Sequence, residues 1–478
     1  MEIGLVGVGY IGLVTAACLA HLGHDVRCHD ADELRVAALA DGVVPFREPG
    51  LDELVATGRD TGRLTFHHDL AALRGAELVV VAVGTLDAAG EWTAEHVRSV
   101  ILALAADPLA PRAVVIRSTL VPGTARALAA EARSIDPAMS VALCPEFTRE
   151  GTAIEDFLKP DRIVVGLDVP ATAAPIESRV DAAAGALLGS ARRLFDGLVA
   201  PLHVTDLTSA ELIKMGSNVL LATKISYANE IARLAHALGG DPRSVVDGIG
   251  LDARIGRAFL TPGPGYGGSC LPSQARILPA AADLAGADVP VIAAVARSNE
   301  TQMDWVIDRA ETHGVPLRGA NVAILGLTFK ARTDDLRESP ALRIAELIAA
   351  RGACVTVHDP AAGETGHARL RAAGVDADLA PSAAAACRDA DVVFVLTEWD
   401  EYRSLDWAAI APTMRGRLVV DARWVVDGPA AVAAGLDVVG VAASRLRGDR
   451  APSPAASGRT EPLAQVARDR AVPAPSLT

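Results

Sequence analysis

The chain has 478 residues, half of them hydrophobic and only 4% aromatic, with a formal net charge of -14. That length exceeds what one hydrophobic core organises, so two or three domains packed on aliphatic side chains are expected. The negative balance argues against nucleic acid or an anionic membrane as partner, and any anionic ligand then needs local basic groups.

In chain order, Ile3 to Val6 has the pattern of a short buried strand, and Gly7-x-Gly9-x-x-Gly12 follows at once. The glycines open an apolar helix, Leu13 to Leu22, which Gly23 stops; a second strand, Asp25 to His29, then ends at Asp30. A lone GxGxxG says little, but between a strand and a helix, with an acid 18 residues past Gly12, it fits a dinucleotide site. Glycines permit the tight turn and the close pyrophosphate, the helix N-terminus with Tyr10 and Ile11 takes phosphate charge, and Asp30 takes the ribose hydroxyls. Asp30 favours NAD over NADP. The uncharged run Ile3 to Ala20 is therefore a nucleotide turn and not a signal peptide or membrane span: it lacks a basic n-region and is rich in glycine.

Glu77 to Val83, Ala113 to Arg117 and Val141 to Cys144 read as further buried strands, ending in Gly84-Thr85, Ser118-Thr119 and Pro145-Glu146. Polar residues gathered at the C-terminal ends of strands suit an open parallel sheet, so Thr85, Thr119 and Glu146 are expected at the cofactor crevice, although each threonine also suits a turn or cap. A long helix runs from Ser209 to about Ala237, in which Leu212, Val219, Ile225 and Ile231 suit burial against other elements or a second subunit. Lys214 and Asn218 share one face of it. Such a pair is commonly solvated, yet within an apolar helix it can hold an oxyanion.

Pro262 to Pro272 is a glycine- and proline-rich loop ending in Cys270. It lets backbone approach a ligand while presenting one thiol; the plainer reading is a surface loop before an inert cysteine. The six cysteines (Cys18, Cys28, Cys144, Cys270, Cys354, Cys387) are scattered without zinc spacing, and read as reduced thiols of a cytoplasmic protein with no metal. One helical segment from Gln274 to about Thr312 leads to a second α/β pattern: strands Asn321 to Leu325, Cys354 to Val357, Asp391 to Leu396 and Arg417 to Val420, with a helix Ala341 to Ala350. This half has no GxGxxG, so a second dinucleotide is not its expected ligand. From about Arg445 the composition turns to Ala, Pro, Ser and Arg and reads as a disordered tail.

At this point the sequence resembles the UDP-glucose/GDP-mannose dehydrogenase family. The resemblance spans residues 1 to about 440. It is carried by Gly7 to Gly12, Pro45-Phe46-Arg47-Glu48-Pro49-Gly50-Leu51, Val83-Gly84-Thr85, Arg117-Ser118-Thr119, Pro145 to Ala153, Glu211 to Asn218, Gly265 to Cys270, Phe329-Lys330 and Thr397-Glu398-Trp399-Asp400. The implied fold is α/β, with two Rossmann-like doubly wound domains joined by a long central helix and helical dimerisation region. The expected divisions are an NAD domain at 1–199, the central region with the Cys loop at 200–312, a UDP-sugar domain at 313–442 and the tail at 443–478.

The reaction this resemblance implies is oxidation of a sugar C6 alcohol, that of UDP-glucose, to the carboxylate with two NAD+ and one water. A thiolate captures the aldehyde as a thiohemiacetal, which yields a thioester for water to hydrolyse. By similarity Cys270 is the nucleophile, Lys214 and Asn218 stabilise charge on the former C6 oxygen, and Thr119 and Glu146 position or activate water. Glu150 holds the substrate-side network and, with Arg337, contacts cofactor. Phe147, Thr148, Phe259, Leu260, Gly265, Tyr266, Gly267, Phe329, Lys330 and Arg423 match the nucleotide-sugar site, and Arg254 matches an arginine offered to the partner subunit's substrate in a homodimer or higher oligomer.

The chain departs from the family pattern after the cysteine, where Pro-Lys-Asp is usual and Pro272-Ser273-Gln274 stands here. Gln274 cannot take up a proton, and Ser273 removes a positive charge near the thiol. Smaller departures are Cys144, Thr148, Leu86 and Trp424. Two other readings stay open: a dehydrogenase of GDP-mannose or an N-acetylated UDP-hexosamine, and an impaired homologue that binds its ligands but hydrolyses the thioester poorly.

Overall fold

The computed structural model describes residues 1–87, 90–172 and 174–441; the expected tail, 443–478, lies outside the described residues. The chain builds two sheets. The first contains β1 (Glu2–Val6), β2 (Asp25–His29), β3 (Leu64–His67), β4 (Leu78–Val81), β5 (Ala113–Ile116), β6 (Ser140–Leu143), β7 (Ile163–Leu167) and β8 (Leu202–Asp206), in the order β3-β2-β1-β4-β5-β6-β7-β8. All neighbours pair in parallel except β6 and β7. Its central strands β1, β4, β5 and β6 are apolar runs because both faces are covered. Leu78 and Val80 enter the core on one face, Val79 and Val81 the core on the other.

The second sheet contains β9 (Asn321–Leu325), β10 (Cys354–His358), β11 (Ala377–Leu379), β12 (Val392–Val395), β13 (Leu418–Asp421) and β14 (Asp437–Gly440). Its order, β11-β10-β9-β12-β13-β14, repeats the doubly wound order of the first six strands and is parallel throughout. In both sheets the order reverses beside the first strand, which opens a crevice at the C-terminal strand ends.

The two first turns also match. Gly7 (φ +93°) donates its N–H to His29 O at 2.8 Å, and Gly326 (φ +97°) donates to His358 O at 2.8 Å. Val8 N–H donates to Asp30 Oδ2 and Leu327 N–H to Asp359 Oδ2, both at 2.8 Å. The acids then differ. Asp359 is buried and accepts further from Thr328, Trp399, Ala361 and Ala362, so its oxygens are occupied by the protein itself. Asp30 also accepts from Val8 N–H and Asp32 N–H, but it takes fewer protein donors than Asp359, so the second domain keeps the turn around a more fully enclosed acid.

Between the sheets runs the helix Leu207–Leu238, 32 residues long. Asp206 caps it, accepting from Ser209 N at 3.0 Å, and Gly239 (φ +77°) ends it. The helix expected from Gln274 to Thr312 is two helices, Cys270–Leu284 and Pro290–Thr312. Gly286 (φ +71°) lets the chain turn and Pro290 starts afresh at the first helical position. Of the residues expected to be buried on the long helix, Val219 is, but Leu212 is 47% exposed. Leu212 belongs to an outward apolar face with Leu220, Tyr227 and Leu234.

Candidate functional site

The dinucleotide turn fits the group its sequence implies. A Cβ on Gly12 would lie 1.7 Å from Gly7 O, and one on Gly7 2.9 Å from the Ala82 backbone, whereas nothing lies within 4 Å of a Cβ on Gly9. Two glycines thus close the turn, and the third leaves room beside the first N–H groups of the helix Tyr10–His21. The Asp30 carboxylate stands at the end of β2, with Arg35, which sequence reasoning missed, 3.3 Å away. Arg35 follows from the sequence only once the helix Glu33–Ala40 is known to turn back over Asp30.

A cavity of about 1030 Å³ opens beside this turn, between the first sheet, the long helix and the second domain. Of the expected residues, Tyr10, Ile11, Glu146, Phe147, Thr148, Glu150, Lys214, Asn218 and Phe259 line it. So do Gly265, Tyr266, Gly267, Cys270, Phe329, Lys330, Arg337 and Arg423. Thr85, Thr119 and Leu260 do not. Thr85 and Thr119 follow the ends of β4 and β5, and Leu260 is buried beside Phe259. Arg254 lies on the outer surface, its side chain 88% exposed and paired with Asp252 at 2.6 Å.

At the centre is a buried ion pair. Lys214 Nζ donates to Glu146 Oε1 at 2.8 Å, and Glu146 Oε2 accepts from Thr148 N–H at 2.6 Å and Thr148 Oγ1 at 2.7 Å. Burial alone would raise the Glu146 carboxyl; Lys214 and Thr148 outweigh it and hold the group below the usual carboxylate range. Asn218, one turn along, faces the same cavity. The lysine is thus neither on a solvated face nor alone.

The cysteine loop is fixed by amide side chains from two helices. Asn229 Oδ1 accepts from Gly263 N–H at 2.8 Å, and Gln302 Nε2 donates to Gly263 O at 2.7 Å. Asn299 brackets Tyr266, accepting from its N–H at 2.8 Å and donating to its carbonyl at 3.0 Å. The glycines are there for close approach. A Cβ on Gly267 would meet Glu338 O at 2.5 Å, and Gly268 (φ +82°) lies against the Phe329 ring. Asn229, Asn299 and Gln302 were missed, although an amide in an otherwise apolar helical face is their signal.

Cys270 emerges at the start of its helix with its thiol open to the cavity. The protein surrounding it pushes the thiol pKa up, and Glu146 and Glu150 add to this; the Lys214 ammonium and the Ser269 hydroxyl, 3.6 Å away, oppose it. Ser273 turns back to the helix, donating to Ser269 O at 2.6 Å. Gln274 is buried, and its Oε1 has no hydrogen-bond partner among the described residues.

A second polar cluster forms where the domains meet. Glu150 Oε1 accepts from Arg337 at 2.8 Å, and Arg337 also grips Asp335 at 2.7 Å. Burial and the Asp335 charge push Glu150 up to about 7, against the pull of Arg337 and Lys330. Lys330 donates to the Glu150 carbonyl, and Arg423 donates to Leu396 O at 2.9 Å and Phe329 O at 2.7 Å. The Glu150 loop is tied to the dinucleotide helix through Glu48, a residue of the Pro45 to Leu51 motif to which the sequence assigned no role. Buried Glu48 accepts from Tyr10 Oη, from Gly151 N–H at 2.6 Å and from Ala153 N–H at 2.8 Å. Among the described residues no group of three or more His, Cys, Asp or Glu side chains is placed to hold a metal ion, and no helix is long and apolar enough to cross a membrane.

Three models of one family match in chain order. The NAD binding domain of the UDP-glucose/GDP-mannose dehydrogenase family matches residues 1–180, its central domain 208–301 and its UDP binding domain 323–428. The chain is 39% identical to a UDP-glucose 6-dehydrogenase of Rhizobium meliloti over 429 residues, covering 88% of this chain and 95% of the relative. A UDP-glucose 6-dehydrogenase of Rickettsia conorii is 35% identical, over 89% and 96%. Among solved structures, a UDP-glucose dehydrogenase of Pyrobaculum islandicum superimposes with a TM-score of 0.81 at 35% identity, covering 93% of this chain and 98% of that one. A UDP-D-ManNAc dehydrogenase of Pyrococcus horikoshii gives 0.78 at 25% identity, over 94% and 100%. With a fitting dinucleotide turn, three consecutive domain models and near full-length relatives in agreement, the chain belongs to the UDP-glucose/GDP-mannose dehydrogenase family of NAD-dependent oxidoreductases, with a UDP-sugar as substrate.

Proposed function

We propose that this chain oxidises the C6 alcohol of UDP-glucose to the carboxylate of UDP-glucuronate, through a covalent intermediate on Cys270. The observation that carries this is the Cys270 thiol opening into the cavity that holds the buried Lys214–Glu146 pair. NAD+, when bound at the glycine turn, accepts the hydride of each of the two oxidations. The Gly7 to Gly12 turn and Asp30 would hold it, with Arg337 and Glu150 lining the adjoining cavity. Lys214 and Asn218 supply donors for the oxygen that bears negative charge as the aldehyde is captured. The thiol adds to the aldehyde carbon, and the thiohemiacetal can lose a second hydride to become a thioester. Glu146, which lines the cavity beside Lys214, orients water. Phe259, Gly265, Tyr266, Gly267, Phe329, Lys330 and Arg423 receive the nucleotide, and Phe147 and Thr148 border the sugar.

The test is the NADH yield. Purified protein supplied with limiting UDP-glucose and excess NAD+ is expected to release two NADH per sugar. A yield only with UDP-N-acetylmannosamine or GDP-mannose would move the substrate to a neighbouring member of the family, and a single partial turnover would identify an impaired homologue.

The outward apolar face of the long helix supports a homo-oligomer. Leu220, Tyr227 and Leu234 recur every seven residues and are 61%, 49% and 53% exposed, which suits a helix seam between copies. In that assembly Arg254 would reach the partner subunit's substrate and add positive charge at the diphosphate. Leu220→Glu with Leu234→Glu is expected to lower the mass measured by light scattering to that of one chain. An unchanged mass would remove this face from the interface.

A further inference from the structure

Among the described residues, Trp424 is the bulkiest residue with a positive φ, at +59°. For a side chain of that size the left-handed region costs free energy and persists only where the surroundings fix it. The indole carries a second cost, because its Nε1 is buried with no acceptor among the described residues. Two contacts offset these costs. The ring packs on the apolar core of the second domain, and the Arg243 guanidinium lies over it, with Cζ 5.4 Å from the ring centroid. Arg243 comes from a distant part of the chain. It stands in the first turn of the helix Pro242–Gly250, which Asp241 caps, and its Nε lies 3.9 Å from Asp247. Trp424 does not line the cavity; it is a point where the second domain is gripped from behind the site.

The residue before it does line the cavity. Arg423 donates to Leu396 O at 2.9 Å and to Phe329 O at 2.7 Å, with Glu398 3.2 Å from its Nε. Buried Asp421 ties the two neighbours into one turn, accepting from Arg423 N–H at 2.9 Å and from Val426 N–H at 3.0 Å. That turn abuts the cysteine loop. A Cβ on Gly263 would lie 3.5 Å from Ala422 O and 3.6 Å from Arg423 Nη1, and Gly263 is itself held by Asn229 and Gln302. We infer that Trp424 is a positioning residue for the nucleotide end of the substrate: its ring, clamped by Arg243, holds the Asp421 to Val426 turn against the cysteine loop and so fixes Arg423 at the cavity. Without the clamp the left-handed turn relaxes, and the nucleotide binds only the fraction of molecules that keeps Arg423 in place.

This inference rests on the reading that Arg423 receives the nucleotide, and the experiment separates the two. Affinities for UDP and for NAD+ are measured by calorimetry, with Tm and with kcat and KM for UDP-glucose on the same preparations. Trp424→Gly removes the ring and the strain together; it is expected to weaken UDP binding and raise KM by about tenfold, with kcat and NAD+ affinity within about twofold of wild type. Arg243→Met keeps most of the stem of a side chain that is 69% exposed, so folding is spared, and is expected to weaken UDP binding by about threefold. Both substitutions together should cost no more than Trp424→Gly alone, because they remove one clamp. Trp424→Phe keeps an aromatic face for Arg243 and should recover most of the affinity. Should Trp424→Gly fail to fold, Arg243→Met and Trp424→Phe decide the matter. Unchanged UDP affinity in Arg243→Met and Trp424→Gly, losses that simply add in the double variant, or a joint fall of Tm, kcat and both affinities overturns the inference while Arg423→Gln still weakens UDP. An Arg423→Gln enzyme that binds UDP like wild type overturns the reading of Arg423, and the inference with it.

Discussion

Cys270→Ala is expected to abolish the second oxidation and lower steady-state NADH formation by about 10³-fold or more. Without the thiol the aldehyde has no covalent anchor. Oxidation then stops after one hydride, and the remaining activity depends on slow hydration of the aldehyde. The measurement is NADH per UDP-glucose in a single turnover, with a hydroxylamine trap for free aldehyde: one NADH and a trapped oxime are expected, against two NADH and no oxime for wild type. Cys270→Ser keeps the geometry but offers a far weaker nucleophile, and should resemble the alanine variant. Folding is not expected to suffer, because the loop is fixed by Asn229, Asn299 and Gln302 and not by the thiol, whose hydrogen-bonding neighbour is the Ser269 hydroxyl at 3.6 Å. Two NADH from Cys270→Ala would exclude the covalent path.

Local sequence is most legible where the physics is local. Apolar runs of about four residues mark β1, β9 and the cores of β4 to β6, because a strand covered on both faces has little choice of residue. The Gly7 to Gly12 turn is legible because a Cβ at two of its glycines collides with backbone. Boundaries set by competition are less so: the pattern from Gln274 to Thr312 stays helical by period, and the break comes from Gly286 and Pro290 acting together. The supports of the site are hidden for a different reason. Glu48 meets Gly151 across 103 residues, and Asn229 meets Gly263 across 34; a buried carboxylate or amide has no periodic signature until its partner is known. The same holds for Glu211, buried on the long helix, which caps the helix Thr124–Ile135 by accepting from Ala125 N–H at 2.7 Å. Lys214 shows the limit most clearly, since its spacing to Asn218 fixes a shared face while only the fold brings Glu146 to it.

Lys214→Met should cost both activity and stability, and pH separates the two effects. Loss of a donor to a developing oxyanion is expected to lower kcat by about 10²–10³-fold. Removing one member of a buried ion pair leaves the other uncompensated, which destabilises by about 3–5 kcal/mol. The side chains of Lys214 and Glu146 are each only 4% exposed, so water does not replace the lost partner. In wild type the Glu146 pKa lies below its unfolded value. Its contribution is therefore stabilising above the unfolded pKa and disappears as pH falls through the folded one. In Lys214→Met the sign reverses: burial now dominates, the folded pKa rises above the unfolded one, and the carboxylate destabilises increasingly as pH climbs from about 4. The difference in Tm between wild type and variant should accordingly be larger at pH 7 than at pH 5. Adding Glu146→Gln removes the stranded charge and should recover most of the stability while activity stays low, because neither the oxyanion donor nor the carboxylate returns. Thermal melts at the two pH values with kcat on the same preparations decide the matter. A Tm gap independent of pH would show that Lys214 stabilises by packing its stem and not by compensating Glu146.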